Sequence, residues 1–318
     1  MQMTYEPLTF AKLRRFMMAD ERCVEYAKLR QPTPLLAWIH ASVNWGSILG
    51  CWVLLDSGAP LWFLPLILVI VGSRQRSLNN IIHDASHNNL FRKQRWNTIF
   101  STVFSALPLG ESHELYRVRH MTHHAHLGDA QRDPDFQAPP SIRPGRSTYR
   151  AWQFFSYFVL NRNEWQSSII GAWQRLDTRQ RAAVATWWAV VLGAMVLAVG
   201  TTSTLAFLAL WIGSRATTYH VFRIFAEVSD HTGLVPGSIE QYTRNMPTTL
   251  WSSLLHPFND NYHLTHHLFP NVPVIHLRRL HHLLVQIPEY AQHQLIDGYF
   301  TGRFPLIRSW VDAPSDWT

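Results

Sequence analysis

The sequence predicts an all-α membrane protein with four transmembrane helices, and three observations carry that prediction. Only 15% of the 318 residues are charged, and they cluster, leaving three long stretches free of Asp, Glu, Lys and Arg. The 28 Lys and Arg residues avoid the two short connectors that a four-span chain would place on one side of a membrane. Eight of the 18 histidines fall into three short groups, and the same four-span topology brings all three to the other side. With 47% apolar and 13% aromatic residues the chain is neither disordered nor collagen-like. Two cysteines, Cys23 and Cys51, make neither a disulfide framework nor a CxxC metal site, so a reducing compartment is expected. The mean hydropathy of -0.08 is low for a membrane protein, but that average conceals the clustering.

The N-terminal MQMTYEPLTFAKLRRF is mixed and polar and does not read as a cleavable signal peptide. The charge-free runs are 31–55, 57–73 and 182–214, of 25, 17 and 33 residues. About 20 apolar residues cross a bilayer as a helix, so the first run fits one span. The second extends past Arg74, because long basic side chains reach towards head groups. The third is too long for one span, and Gly-Thr-Thr-Ser-Thr at 200–204 reads as a turn within it. The expected spans are therefore about 35–56, 59–80, 182–199 and 202–220. Large buried helices in a soluble protein are the competing reading of the same runs. The apolar stretch 97–109 is 13 residues long and suits a re-entrant or surface helix; AWQFFSYFVL at 151–160 suits an interfacial one. QAPPSIRPGRS at 137–147 reads as a loop. No internal repeat appears beyond the helix pairs, and residues 1–318 read as a single domain.

With four spans, the connectors near 56–60 and 200–204 share one side, and neither contains Lys or Arg. The segment before the first span holds 6 of these residues, 74–181 holds 15, and 215 onward holds 7. The positive-inside rule then places both termini in the cytoplasm of an integral, multi-pass protein, as in a bacterial inner membrane. A basic face beside anionic lipid accounts for the net charge of +7, so no nucleic-acid partner is implied.

The histidine groups are HDASH at 83–87, HMTHH at 120–124 and HLTHH at 263–267. Residues at i, i+3 and i+4 share a helix face. One HxxxH arises easily by chance; three such groups in one chain do not. Eight imidazoles exceed what one metal uses, so two metals are implied, and without thiolates and with redox chemistry in view iron is favoured over zinc.

HDASH, RHMTHH and YHLTHHLFP, in that order with paired spans between, resemble the membrane fatty acid desaturase and hydroxylase superfamily over roughly residues 35–285. The resemblance implies four membrane helices beneath a cytoplasmic helical cap, here 81–181 and 221–318, that holds two iron ions (Fe2+/Fe3+). It maps metal ligation onto His83, His87, His120, His123, His124, His263, His266 and His267. It also implies a lone ligand after the fourth span, which falls at His231. Glu227 stands at i, i+4 from His231 and is a candidate supporting group or extra ligand, with Asp230 a further acid that would balance metal charge. Asp84 can accept an N–H from a ligating imidazole, and Asn259 and Asn261 can orient a ligand or hold a metal-bound water, with turn-making the alternative. Arg74 and Arg76 can meet an acidic substrate head group, with simple snorkelling as the alternative. His126, His113 and His256 lie near boxes but off the expected ligand set. His40 is expected to bond a neighbouring helix. His220, His276, His281, His282 and His293 read as structural or surface residues, and alanine at 281 or 293 is expected to be harmless.

Removing hydrogen from an unactivated methylene is beyond acid–base side chains and needs an oxidant made at a metal, with dioxygen as co-substrate and two electrons supplied. The resemblance therefore implies a dioxygen-dependent oxidoreductase that desaturates the acyl chain of a fatty acid or lipid. A hydroxylase, a ketolase or an olefin-forming fatty acid decarboxylase would share every ligand. GESHE at 110–114 places two carboxylates ahead of the second box, a departure that points to an unusual or smaller substrate. No dinucleotide or P-loop motif is present, and HPFN at 256–259 lacks the glycines of a haem-binding element. Electrons are expected from a separate ferredoxin, rubredoxin or cytochrome b5-type donor. A metal transporter is the alternative of a different class, but it would place ionisable ligands within the spans, where only His40 lies deep.

Overall fold

A computed structural model of the protein describes residues 8–136 and 148–311. The loop expected at 137–147 and both chain ends lie outside these residues. Among the described residues the chain is helical, with a single isolated bridge between Gly298 and Pro305 in place of any sheet. It forms two compact units from interleaved stretches: a long-helix unit, Thr33–Met121 with Ser156–Ala226, and a short-helix unit, Met1–Pro32 with Thr122–Phe155 and Glu227–Thr318.

In the long-helix unit, Pro34–Asp56 is one 23-residue helix opened by a proline, whose missing N–H costs nothing in the first turn. A short 3-10 turn, Leu61–Phe63, leads into the helix Leu64–Ser86. The helical run Thr178–Ser214 starts at a capping box between Asp177 and Gln180. It is broken at Gly200, whose φ of 84° and ψ of 168° fall where a side chain is rarely accommodated. Along an unbroken helix Trp188 and Trp211 would stand about 34 Å apart, yet their ring centroids are 5.4 Å apart. The chain therefore doubles back at Gly200, at the start of the expected turn.

The hairpin packs on the first helix: Trp45 stacks on Trp211 at 5.5 Å, and the Trp52 indole donates to the Ser203 carbonyl at 2.9 Å. His40 meets Ser77 Oγ at 3.1 Å on the next helix, the neighbouring-helix bond expected of it. Two π-helical stretches, Thr102–Ala106 and Arg215–Tyr219, pack against Leu64–Ser86, and each gives a hydroxyl to its backbone. Ser105 donates to the Leu78 carbonyl at 2.6 Å, and Thr218 to the Leu68 carbonyl at 2.5 Å. Gly72 allows the second approach, because a Cβ there would lie 2.3 Å from Thr218 Oγ1 and 2.6 Å from the Tyr219 nitrogen. Ile48, Val71, Leu78 and Ile81 form the centre of the core.

Two helices are long and apolar enough to cross a membrane, Leu61–Ser86 and Thr178–His231. Only 6% of the most apolar window of the second is buried, whereas a core helix of a soluble protein would be mostly buried. Leu197 is 90% exposed and Leu61 77%. The expected surface piece 97–109 is helical, beginning in Gln94–Ser101, and the interfacial piece 151–160 lies in the helix Thr148–Val159 and the residue after it.

The short-helix unit is made of brief helices around Leu264, Leu277, Leu280, Leu284 and Tyr290, with Met17 and Leu29 from Phe10–Met17 and Asp20–Leu29 on the same core. Its centre is the six-residue helix His263–Leu268.

Candidate metal centre

The three histidine boxes sit on helix ends and short helices. HDASH closes the helix Leu64–Ser86, with His83 in its last turn and His87 as the capping residue. The second box lies on His113–Ala125 and the third fills His263–Leu268.

In the long-helix unit, His83, His87 and His120 each offer a ring nitrogen within 4.8 Å of the others. The Nε2 atoms of His87 and His120 are 2.9 Å apart, and the His83 ring centroid lies 4.6 Å from that of His120. In the short-helix unit, His123, His231, His263 and His267 bring four nitrogens within 4.8 Å of one another. Their Nε2 atoms are 2.9 Å apart for His231 and His263, 3.0 Å for His263 and His267, and 3.4 Å for His123 and His267. His124 and His266 form a further pair at 3.0 Å, and the His124 ring stacks on that of His267. A metal about 2.1 Å from each nitrogen would set neighbouring ligands about 3.0 Å apart at right angles and about 3.4 Å apart at the tetrahedral angle. The observed spacings fall in that range, so these residues fit a metal.

Hydrogen bonds on the far side of two rings fix which nitrogen faces the group. The Nδ1–H of His231 donates to the Tyr242 carbonyl at 2.8 Å, which leaves Nε2 with a lone pair when the ring is neutral. His123 Nδ1 meets Asp133 Oδ1 at 2.8 Å and so presents Nε2 in the same way. Burial holds the His231 imidazole down to about 3, and neighbouring His123 pushes the same way. Burial, then the charges of His263 and His124, holds His267 well below the ordinary range. His87 is lowered to about 4 by burial first and Arg117 second. Each ring is therefore neutral at pH 7, the state in which imidazole binds a metal.

Boxes and groups do not correspond one to one. Residues three and four apart lie within about 60° of one another around a helix but about 4.5–6 Å apart along it. His120 accordingly joins His87, while His123 and His124, a turn later on the same helix, face His267 and His266.

The expected supporting residues are placed as follows. Asp230 Oδ2 is 3.9 Å from His263 Nδ1, beside a box histidine. Glu227 is half-buried one helix turn before His231 and outside the group of four donors. Asp84 is buried, and its carbonyl accepts from the backbone nitrogens of His87 and Asn89, closing the helix end under the box. Asn259 and Asn261 give their amides to the carbonyls of Ile275 and Met246, at 2.8 and 2.7 Å, and so hold the loop before box three rather than its rings. Arg74 reaches Ser73, and Arg76 is buried with Nη1 2.8 Å from Asn80 Oδ1. In the GESHE stretch, burial pushes the Glu111 carboxyl up against the opposing pull of Arg175, Arg215, Arg119 and Arg223. His113, His220 and His256 pair with Ser101, Ser168 and Tyr299, in structural roles.

Asp133 was not marked by the sequence reading; the one available signal is an Asp-Pro turn shortly after the second box. Burial raises its carboxyl, but the bonds from His123, Gly128 N and Asp135 N outweigh burial and hold it below the usual range. An acid that orients a ligating imidazole contributes strongly to metal affinity. Asp133→Ala is expected to weaken metal binding by about 10- to 100-fold, measured by chelator competition on the purified protein.

Comparison with known proteins bears on these groups. The sequence profile of the fatty acid desaturase family matches residues 59–298, a stretch that contains all nine histidines. A dihydrorhizobitoxine desaturase of Bradyrhizobium elkanii is 26% identical over 282 residues, covering 82% of this chain and 79% of its own length. The sphingolipid delta(4)-desaturase/C4-monooxygenase of Bos taurus is 27% identical over 318 residues, covering 94% and 84%. Its Homo sapiens counterpart is 26% identical over 292 residues, covering 89% and 80%.

Proposed function

The chain belongs to the fatty acid desaturase family and is a desaturase-type oxidoreductase, and from that premise we propose that it desaturates a lipid acyl chain with dioxygen at two irons held by its nine histidines. The observation that carries this reading is the convergence of imidazole nitrogens, with the Nε2 atoms of His123 and His231 turned inwards by Asp133 and the Tyr242 carbonyl. Bound irons supply the dioxygen reduction and hydrogen abstraction that no side chain here can perform. Desaturation takes two hydrogen atoms, that is two protons and two electrons, from the substrate; with two more electrons and two more protons, dioxygen leaves as two waters. The electrons come from a separate ferredoxin, rubredoxin or cytochrome b5-type protein, which the basic face would attract if acidic.

The protein's own part is to hold and aim. The box histidines and His231 fix the metals, Asp133 and the Tyr242 carbonyl set the tautomers, and Asp230 balances charge beside His263. The long helices Pro34–Asp56 and Leu64–Ser86, with the hairpin at Gly200, provide apolar walls for an alkyl chain and cross the membrane as four spans. The residues at 81–181 and 221–318 form a cap on the cytoplasmic side, where both termini lie. Arg74 and Arg76 are the residues proposed to meet an acidic head group. Engineered cysteines at 58 and 202 should be labelled from the face opposite to one at 93; labelling of all three from one face would exclude this topology.

A second reading rests on the relatives. Two of them carry both a desaturase and a C4-monooxygenase activity in their names and act on sphingolipids. After the first hydrogen is removed, loss of a second gives an alkene and oxygen transfer gives an alcohol, so hydroxylation is the alternative outcome at the same site. Olefin-forming decarboxylation is a third. Expression in a bacterial host, followed by GC–MS of fatty acids and hydrocarbons and iron determination on the purified protein, separates these. A new internal double bond with about two irons per chain is expected. A hydroxylated chain, or a terminal alkene one carbon shorter, would replace desaturation with the corresponding alternative, and a metal-free active protein would exclude the whole reading.

A further inference from the structure

The helix that carries the third box is six residues long, too short to hold its own shape in isolation. Its capping residue, Tyr262, gives no side-chain cap, so the first N–H groups need partners from elsewhere. Both come from one upstream segment. The Leu264 nitrogen donates to the Arg244 carbonyl at 3.0 Å, and the Thr265 nitrogen to Asn245 Oδ1 at 3.1 Å. Next to them, Met246 and Asn261 exchange two bonds, at 2.8 and 2.7 Å.

Asn245 is the hub. Its Oδ1 also accepts from the Thr265 hydroxyl at 3.3 Å. Its Nδ2 donates to Tyr290 Oη at 2.7 Å and to Gln294 Oε1 at 3.0 Å, and lies 3.3 Å from His281 Nδ1. Tyr290 Oη closes the network, 2.7 Å from the Thr265 hydroxyl and 2.8 Å from His281 Nδ1. Asn245, Thr265 and Tyr290 are all buried. His281, expected from the sequence to be dispensable, joins this network through Nδ1. The same segment also reaches the other side of the centre: the Tyr242 carbonyl takes the His231 Nδ1–H, and the Arg244 guanidinium bonds the Thr232 carbonyl and Ser309.

We propose that Asn245 is a positioning residue that, through Thr265 and Tyr290, sets the rotation of the box-three helix and thereby the aim of His263 and His267 at His231 and His123. The proposal rests on the reading of those four histidines as metal ligands. Thr265 stands between His263 and His267 in the sequence, so a small turn of this helix moves both nitrogens together. The network touches no substrate and acts only through the rings it aims.

The test uses the full-length purified chain, loaded with Co(II) as a spectroscopic probe. Asn245→Ala and Thr265→Val are expected to change the Co(II) d–d spectrum and to weaken Co(II) and iron binding by about tenfold, as loss of a group supporting a ligand does. Turnover should fall in kcat with KM unchanged, and Thr265→Ser, which keeps the hydroxyl, should restore spectrum, affinity and kcat. Tyr290→Phe is the second probe, expected to act in the same direction. An unchanged Co(II) spectrum and affinity in Asn245→Ala, Thr265→Val and Tyr290→Phe, with only the unfolding temperature lowered, would overturn the proposal. The ligand reading is checked separately by His267→Ala. If that variant leaves the Co(II) spectrum unaltered, the histidine site itself falls, and the proposal with it.

Discussion

His267→Ala is expected to lower turnover by at least about a thousandfold and to reduce bound iron from about two per chain to about one. His267 is the most connected ring of the short-helix unit. Its Nε2 lies 3.0 Å from that of His263 and 3.4 Å from that of His123, and its plane stacks on His124. Its removal takes away a nitrogen and also frees two neighbours to turn. Alanine at any other box histidine should act in the same direction, because each is one of a small set of nitrogen donors. His293→Ala is the control: its ring lies against Gln292 and belongs to neither group of donors, and iron content and rate should stay unchanged. Iron determination and an oxygen-uptake assay on the same preparations decide the matter. Full activity in His267→Ala, or a fully active protein with one metal, would defeat the two-iron reading.

Gly72→Leu is expected to be the most damaging single change in the long-helix unit. A Cβ at Gly72 would fall 2.3 Å from Thr218 Oγ1, 2.6 Å from the Tyr219 nitrogen and 2.9 Å from the Thr218 carbonyl carbon. Two of these are backbone atoms, so no side-chain rotation relieves the contact and the π stretch must move away. That movement breaks the bond from Thr218 to the Leu68 carbonyl and the one from Asn79 to Tyr219 Oη. Overpacking of this kind costs about 1–3 kcal/mol and sometimes more, and with two part-buried hydrogen bonds lost as well the upper end is expected. Thermal unfolding in detergent, followed by size-exclusion chromatography, should show a large fall in midpoint or loss of the folded peak. Gly193→Ala, where a Cβ meets nothing within 4 Å, should melt as the unaltered protein does. Equal behaviour of the two variants would show that the close approach at Gly72 is not required.

The helices and the eight box histidines were legible because their signals are local, whereas the lone His231 came only with the family resemblance. Charge-free runs mark the long helices, a glycine followed by hydroxyl residues marks the reversal at Gly200, and i, i+3, i+4 spacing marks each box. The partition of the histidines was not legible. Whether His120 sides with His87 or with His267 depends on how one helix is rotated against others, and spacing along one helix carries no such information. Asp133, Tyr242 and Asn245 escaped notice for the same reason: each is ordinary in its own neighbourhood and meets a histidine or a box-three residue distant in sequence. Asn259 and Asn261 give their amides to backbone carbonyls around the box, in keeping with the turn-making role that the sequence also allowed. The π stretches have no marker in composition, since TVFSA and RATTY read as ordinary helix.

The division of the second box has a consequence for how this gene can vary. His120 faces one set of partners and His123 and His124 another, and both sets are addressed from a single helix, His113–Ala125. One codon gained or lost between positions 120 and 123 would turn everything after it by about 100° and shift it by about 1.5 Å. Point substitutions at 121 or 122 leave that phase intact; a frame-preserving insertion does not. Length differences among descendants of this gene should therefore be absent from that helix and collect in turns such as 88–93, which carry none of these rings.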